Sequence, residues 1–313
     1  ALPIWFLMAS VAAALIMVGS GCSIRTYALR SVADALSGPG GNYGTDDDPE
    51  LVKNAAPFGL KTMEQLAENL PDHRPIRLAM ASGFAQYAYA FVNEDADRVF
   101  DKNVDQGKAM YLRAKRLYLR SRDYALRGLD IGHPGAEKAL RGPDQAAWKA
   151  ALDGMTKDDV PYLYWTGAAW GLALSVGKDD AKLISDQTVI DVVMQRALAL
   201  DESYDEGAIH EFYVPFDAGR SEQQGGGAAK ALQHLKRSLE LNKGYKLGSQ
   251  VSYAESVYVQ EQKKKEFTET LKKILETNVY ADDPAWKKNR LGNIVAQARA
   301  RWLLSKVSEL FAD

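Results

Sequence analysis

Apolar positions recur along most of this chain at intervals of three and four residues, the spacing of helices with one buried face. No segment alternates convincingly as a half-buried strand would. Read this way, Ser23 to Leu36 predicts a short helix, with Ile24, Tyr27, Ala28, Val32 and Leu36 set against Arg25, Arg30 and Asp34, ended by Gly38-Pro-Gly-Gly-Asn42. Asp48 before Pro49 is a helix start, with a carboxylate to cap free amides and a proline whose missing N–H costs nothing there. The helix it opens, Leu51 to Leu70, is expected in two pieces broken at Pro57. Further helices are predicted at Ile76–Val92, Lys108–Leu129, Glu137–Leu152, Val160–Val176, Thr188–Leu200 and Glu206–Phe216, before a flexible break at Gly225-Gly-Gly227. Ala228–Leu241, Leu247–Gln260, Lys264–Glu276 and a capping stretch Trp286–Phe311 complete the series.

Two of these helix ends are alike. Arg196-Ala-Leu-Ala-Leu-Asp-Glu-Ser-Tyr204 and Arg237-Ser-Leu-Glu-Leu-Asn-Lys-Gly-Tyr245 hold Arg, Leu, Leu, Asp or Asn and Tyr in register, and Lys272 to Tyr280 is a weaker third copy. Such self-similarity signals repeats, and a lone helical pair cannot bury its apolar faces, so about four pairs must stack on one another. The expected fold is all-α: tetratricopeptide-like helical hairpins stacked into one solenoid-like domain spanning 48–313.

Composition adds limits. With 46% apolar and 26% charged residues among 313, the chain can build a sizeable core. A formal net charge of −2 does not favour nucleic acid as a partner. The exception to ordinary globular composition is Leu2 to Val18, apolar apart from Ser10 and uncharged, followed by Gly19-Ser-Gly21 and the only cysteine, Cys22. This placement resembles a bacterial lipoprotein processing site, although Gly19 stands where leucine is usual. Residues 1–21 are therefore expected to be a signal peptide and 22–47 a lipidated N-terminal helix and linker, with acylation at Cys22. An uncleaved membrane anchor is the alternative, since a run of this length also spans a bilayer. Ser23 after the cysteine favours the periplasmic face of the outer membrane. With no second cysteine, no intramolecular disulfide forms.

The candidate chemistry is sparse. The four histidines, His73, His133, His210 and His234, lack metal-ligand spacing, no phosphate loop or nucleophile elbow is present, and no cofactor is expected. Asp201, Glu202, Asp205, Glu206 and Glu211 beside aromatic residues form the nearest thing to a catalytic group, a pair of carboxylates of the kind that hydrolyses glycosides. The blander reading is that these acids cap a helix–turn–helix junction and face water. The basic face of Lys108–Leu129 (Arg113, Lys115, Arg116, Arg120, Arg122, Arg127) is either solvated or a patch for a partner. The Arg and Trp residues Trp286, Arg290, Arg299, Arg301 and Trp302 suit a terminal cap or a subunit contact. Tyr162, Tyr164, Trp165 and Trp170 either pack a core or line a cavity.

Several of these segments together, Asp48-Pro-Glu-Leu51, Tyr87-Ala-Tyr-Ala-Phe91, Pro161-Tyr-Leu-Tyr-Trp-Thr-Gly-Ala-Ala-Trp-Gly171 and Ala208-Ile-His-Glu-Phe-Tyr213, behind the Cys22 start, resemble the TatT lipoproteins associated with TRAP-type (tripartite ATP-independent periplasmic) transporters. The resemblance implies a non-enzymatic, lipid-anchored periplasmic protein that forms homotrimers and docks a substrate-binding protein feeding a membrane permease. On that reading Tyr164, Trp165, Trp170, His210, Glu211 and Tyr213 are expected to gather round a cavity or pore for an apolar or amphipathic solute. An envelope scaffold without a ligand and a helical glycosidase remain the other classes.

Overall fold

The computed structural model describes residues 24–38 and 42–312, and within them every regular element is helical, with no strand. The apolar run and Cys22 lie outside the described residues. Helix α1 covers 24–37 and lies on the body of the protein. Its Ala33 is fully buried beside Leu60 and Ile76, Arg30 pairs with Asp72 at 2.5 Å, and Asp34 accepts from His73 Nε2 at 3.0 Å.

Asp48 caps α2 (Pro49–Asn69) as its position predicts, accepting from the amides of Glu50 and Leu51 at 3.1 and 3.0 Å. The expected break at Pro57 does not occur. Proline removes one backbone bond, and buried Ala56 and Leu60 on either side hold the helix to its neighbours through the defect. Helix α3 (Arg74–Tyr87) runs past its predicted end through a wide π-helical turn, Ala88–Asn93, into α4 (Glu94–Phe100). Helix α5 (Val104–Gly132) comes after it. A single helix predicted over 137–152 is two, α6 (Ala136–Arg141) and α7 (Gln145–Asp153), because Gly142-Pro143 interrupts it and Trp148 Nε1 donates to the Gly142 carbonyl at 2.8 Å. Next come α8 (Val160–Val176), α9 (Ala181–Ser185), α10 (Gln187–Leu200), α11 (Ala208–Ala218) and α12 (Ala228–Asn242). Helix α13 (Gly248–Tyr253) enters a second π-helical turn, Ala254–Tyr258, and α14 (Lys264–Glu276), α15 (Pro284–Lys288), α16 (Arg290–Ser305) and α17 (Val307–Leu310) close the chain.

Helices pack mainly on near neighbours in sequence: α2 on α3, α3 on α5, α5 on α8, α8 on α10, α11 on α12 and α13, then α13 and α14 on α16. The largest apolar core is made by α5, α8, α10 and α11, where Tyr118, Leu126, Leu163, Trp170, Ile190 and Met194 are sealed. One close approach explains a glycine. The Tyr162 ring lies against the backbone of Gly128 where any larger residue would place its Cβ, and the Arg74 guanidinium stacks over that ring at 4.2 Å. Most cations of the predicted basic face of α5 are engaged within the chain: Lys115 with Asp180, Arg120 with Glu64, Arg122 with Asp123 and the Trp170 ring, and Arg113 and Arg127 over tyrosines.

The last long helix returns to the first. Helix α16 packs on the short 3-10 turn Asn42–Thr45 and on α2, and its Arg299 reaches α4. Arg299 forks onto both Glu255 oxygens, donates to Asp97, and stands 3.6 Å from Glu94. Each π-helical turn adjoins an acid of this cluster, since Glu94 comes directly after the first and Glu255 lies in the second. Burial alone would lower the Arg299 pKa, but the carboxylates of Glu255, Glu94 and Asp97 hold the guanidinium charged and raise it instead. Replacing Arg299 with leucine strands three part-buried carboxylates. We expect the urea midpoint at neutral pH to fall by the equivalent of about 3–5 kcal/mol.

Candidate functional site

Helix α8 is apolar on all sides, which suits its central place, and Gly167, Ala168, Ala169 and Gly171 keep its backbone close to its neighbours. A methyl group at Gly171 would come within 2.7 Å of the Phe212 ring on α11. This contact brings the two aromatic segments singled out in the sequence side by side. Tyr164 and Trp165, both half-buried, meet edge to face at 5.0 Å, and Tyr204 lies 5.2 Å from Tyr164. Burial raises the Tyr164 phenol, and of the charged groups near it Glu211 adds most to that rise.

The polar floor of this group comes from an unusual turn. Asp205, Glu206 and Gly207 have φ of 41°, 57° and 90°, a left-handed run strained for the two acids. Lys246 secures it, donating to the Asp205 carbonyl at 2.6 Å and to its carboxylate at 2.9 Å. Glu211 accepts from Asn242 at 3.3 Å, and burial pushes its carboxyl up to about 7 against the pull of nearby Lys246. At neutral pH this acid is therefore poised between a hydrogen-bond donor and an anion.

His210 and Tyr213 on the same helix face another neighbour, His234 of α12. The two histidines meet Nδ1 to Nδ1 at 2.8 Å, and Tyr213 stacks on His234 at 4.7 Å. Partners assign the protons. His210 Nε2–H donates to Glu202 at 3.2 Å, so its Nδ1 accepts from His234 Nδ1–H, which makes His210 the neutral Nε2–H tautomer. His234 Nε2 is left 3.5 Å from Asp217. Burial lowers both imidazoles, that of His234 to about 4, with the neighbouring His210 as its second cause. Tyr213 donates to Asp191 at 3.0 Å, and Arg220 joins Asp191 to Asp217. Trp170 belongs to neither group: only 2% exposed, it donates to Asp186 at 3.1 Å beneath the Arg122 guanidinium.

The remaining acids of the cluster are occupied. Asp201 binds Ser203 and Lys157, Glu202 is forked by Arg237 and held at about 2 first by that bond, and Glu206 meets Lys288 and Asn289. They stitch the α10–α11 junction to α12 and α15. No group of three or more His, Cys, Asp or Glu among the described residues is arranged to hold a metal ion.

Sequence reasoning missed a second feature, a cavity of 520 Å³ lined by Asn93, Asp97, Tyr111, Ser175, Val176, Lys178, Asp179, Glu255 and Arg299. Its wall is assembled from five separated segments, and its one sequence signal was Arg299, read as part of a terminal Arg–Trp surface. That surface is largely internal: Arg299 stacks on Trp302 at 4.3 Å, Trp286 packs on Tyr245 at 5.2 Å, and Arg290 donates to the Ala281 carbonyl.

A model of the family described as TRAP transporter T-component matches residues 45–311. A protein of Treponema pallidum (strain Nichols), described only as uncharacterized, is 28% identical over 312 residues, covering 94% of this chain and 94% of its own. Among the described residues no helix is long and apolar enough to cross a membrane.

Two groups here titrate with opposite signs. Glu211 is raised, so the folded state holds a proton that the unfolded state has released, and its contribution to stability falls as pH rises from about 4.5 to about 7. Glu211→Gln is expected to stabilise the protein at pH 8 by roughly 1–3 kcal/mol and to change little at pH 4.5, read from urea midpoints. His234 is depressed, so its contribution is lost as pH falls from about 6.5 to about 4. In His234→Asn the acid-side slope of stability over that window should flatten, measured by the same titration.

Proposed function

The chain belongs to the TRAP transporter T-component family, and from that premise we propose how it serves the transporter. Family membership associates it with a TRAP-type transporter and points to a non-catalytic role. Our reading is that it is a periplasmic lipoprotein, acylated at Cys22 and anchored to the outer membrane, with tetratricopeptide-like repeats assembled as a homotrimer. In this reading it docks the substrate-binding protein of the transporter and holds or passes an apolar or amphipathic solute along an aromatic-lined cavity.

The observation that carries the solute part is the group of Tyr164, Trp165 and Tyr204 around Glu211. Half-buried rings supply apolar walls, and a single carboxyl whose charge is suppressed by burial supplies one adaptable polar contact, the combination a mostly apolar solute requires. A glycosidase needs one raised acid and one free carboxylate on either side of a bond. Here the other carboxylates of the cluster are tied to Arg237, Lys157, Lys246 and Lys288.

Isolation of the tagged lipoprotein from its native envelope, after reversible crosslinking, tests the partner. A TRAP-type substrate-binding protein is expected in the isolate, and its consistent absence from a sample that holds the intact lipoprotein rejects the docking role. For the solute, Trp165→Ala is expected to weaken capture of the solute carried by that partner by roughly tenfold while leaving docking unchanged, an amount equal to about 1.4 kcal/mol.

A further inference from the structure

We infer that the first turn of α1, through Ile24, Arg25 and Tyr27, lies in the membrane interface and fixes the orientation of the whole helical body on the bilayer. The inference rests on the anchoring of residue 22 in a membrane, the reading proposed above, and adds a contact surface to it.

Short reach and exposed apolar area both point to this contact. Consecutive Cα atoms are at most about 3.8 Å apart, so the Cα of Ile24 lies within about 8 Å of that of Cys22 whatever path the chain takes. A lipid anchor at Cys22 therefore leaves no length for a tether. The helix that begins at this point is not a free arm either. Leu29 and Ala33 pack against the α2–α3 core, and Arg30 and Asp34 pair with Asp72 and His73. Helix α1 is thus fixed to the body, and at most about 8 Å of chain separates its first residue from the anchor.

The residues left outward at this end have the chemistry of an interface. Ile24 is 67% exposed and Tyr27 74% exposed, both large and apolar, while Arg25 between them is exposed and without an ion-pair partner among the described residues. Tyrosine is favoured at the level of lipid headgroups, isoleucine just below it, and an arginine beside them reaches phosphate. None of the three is needed to hold α1 on the body, since the packed stripe runs along Leu29, Ala33 and Ser37.

The test uses the full acylated protein in vesicles of phosphatidylethanolamine and phosphatidylglycerol. Acylation blocks the Cys22 sulfur, so Tyr27→Cys carries the one free thiol and takes an environment-sensitive fluorophore selectively. Vesicle flotation reports anchoring, and nitroxide on the lipid headgroup reports contact. We expect the protein to float, with label emission shifted to the blue and quenched by the nitroxide lipid. Labelled Ile24→Cys should behave alike. Flotation with unshifted, unquenched emission at both positions overturns the interfacial contact and leaves the anchor standing. Failure to float overturns the anchor and the contact together. Circular dichroism of each labelled variant should match the parent, because both side chains are exposed.

Discussion

The structure depends on one cation drawn into its interior, the half-buried Arg299. Arg299 lies on the last long helix, yet its partners are Glu94 and Asp97, some two hundred residues earlier, and Glu255 in the preceding pair. Helices stacked only on near neighbours would leave an array with two open ends, and open ends of such arrays need covering. Here α16 covers the start of the chain through Asn42–Thr45 and α2, and the arginine joins both sides across a polar interior. A guanidinium suits the task because its planar fork meets several carboxylates at once. The two π-helical turns belong to the same solution: an extra residue in a helical turn shifts the next stretch of helix around its axis, and each such turn adjoins an acid of this cluster.

Burial of charge on this scale has to be balanced elsewhere, and the chain balances it group by group. Asp159 is shared by Arg74 and His133, Asp217 by Arg220 and His234, and Glu202 by Arg237 and His210. Arg74–Asp159 joins helices far apart in sequence, while the Asp217 and Glu202 groups tie α11 and the turn before it to the next helix, α12, and the apolar clusters supply most of the driving force. Glu211 stands apart. Its nearest cation, Lys246, is committed to Asp205, so burial prevails and the carboxyl is pushed up towards neutrality.

Much of the helical plan was legible because it rests on local rules. Val160–Val176 has the bounds the apolar run predicted, Ala228–Asn242 differs by one residue, and the Asp48-Pro49 start is as read. What failed was the effect of neighbours on a local rule: Pro57 sits in an unbroken helix, and Tyr87–Phe100 stays helical across a widened turn. The site was legible to a lesser degree. Sequence expected Tyr164, Trp165, Trp170, His210, Glu211 and Tyr213 round one cavity, whereas His210 and Tyr213 turn to His234 and Trp170 to Asp186, because helix α8 is apolar on all faces and its pattern does not say which face each ring takes. The charged cavity was illegible for a plainer reason. Its residues come from segments far apart in the chain, and only the return of α16 to the beginning brings them together.

That return also relates the two candidate regions to each other. Tyr164 and Trp165 lie near the start of α8, while Ser175 and Val176, in the wall of the charged cavity, end it. About ten residues of helix separate them, a rise of about 15 Å. A helix sealed on nearly every side within a close-packed core transmits displacement along its axis instead of absorbing it. The aromatic group and the charged cavity therefore lie at opposite ends of one helix, and the same apolar core holds both in place.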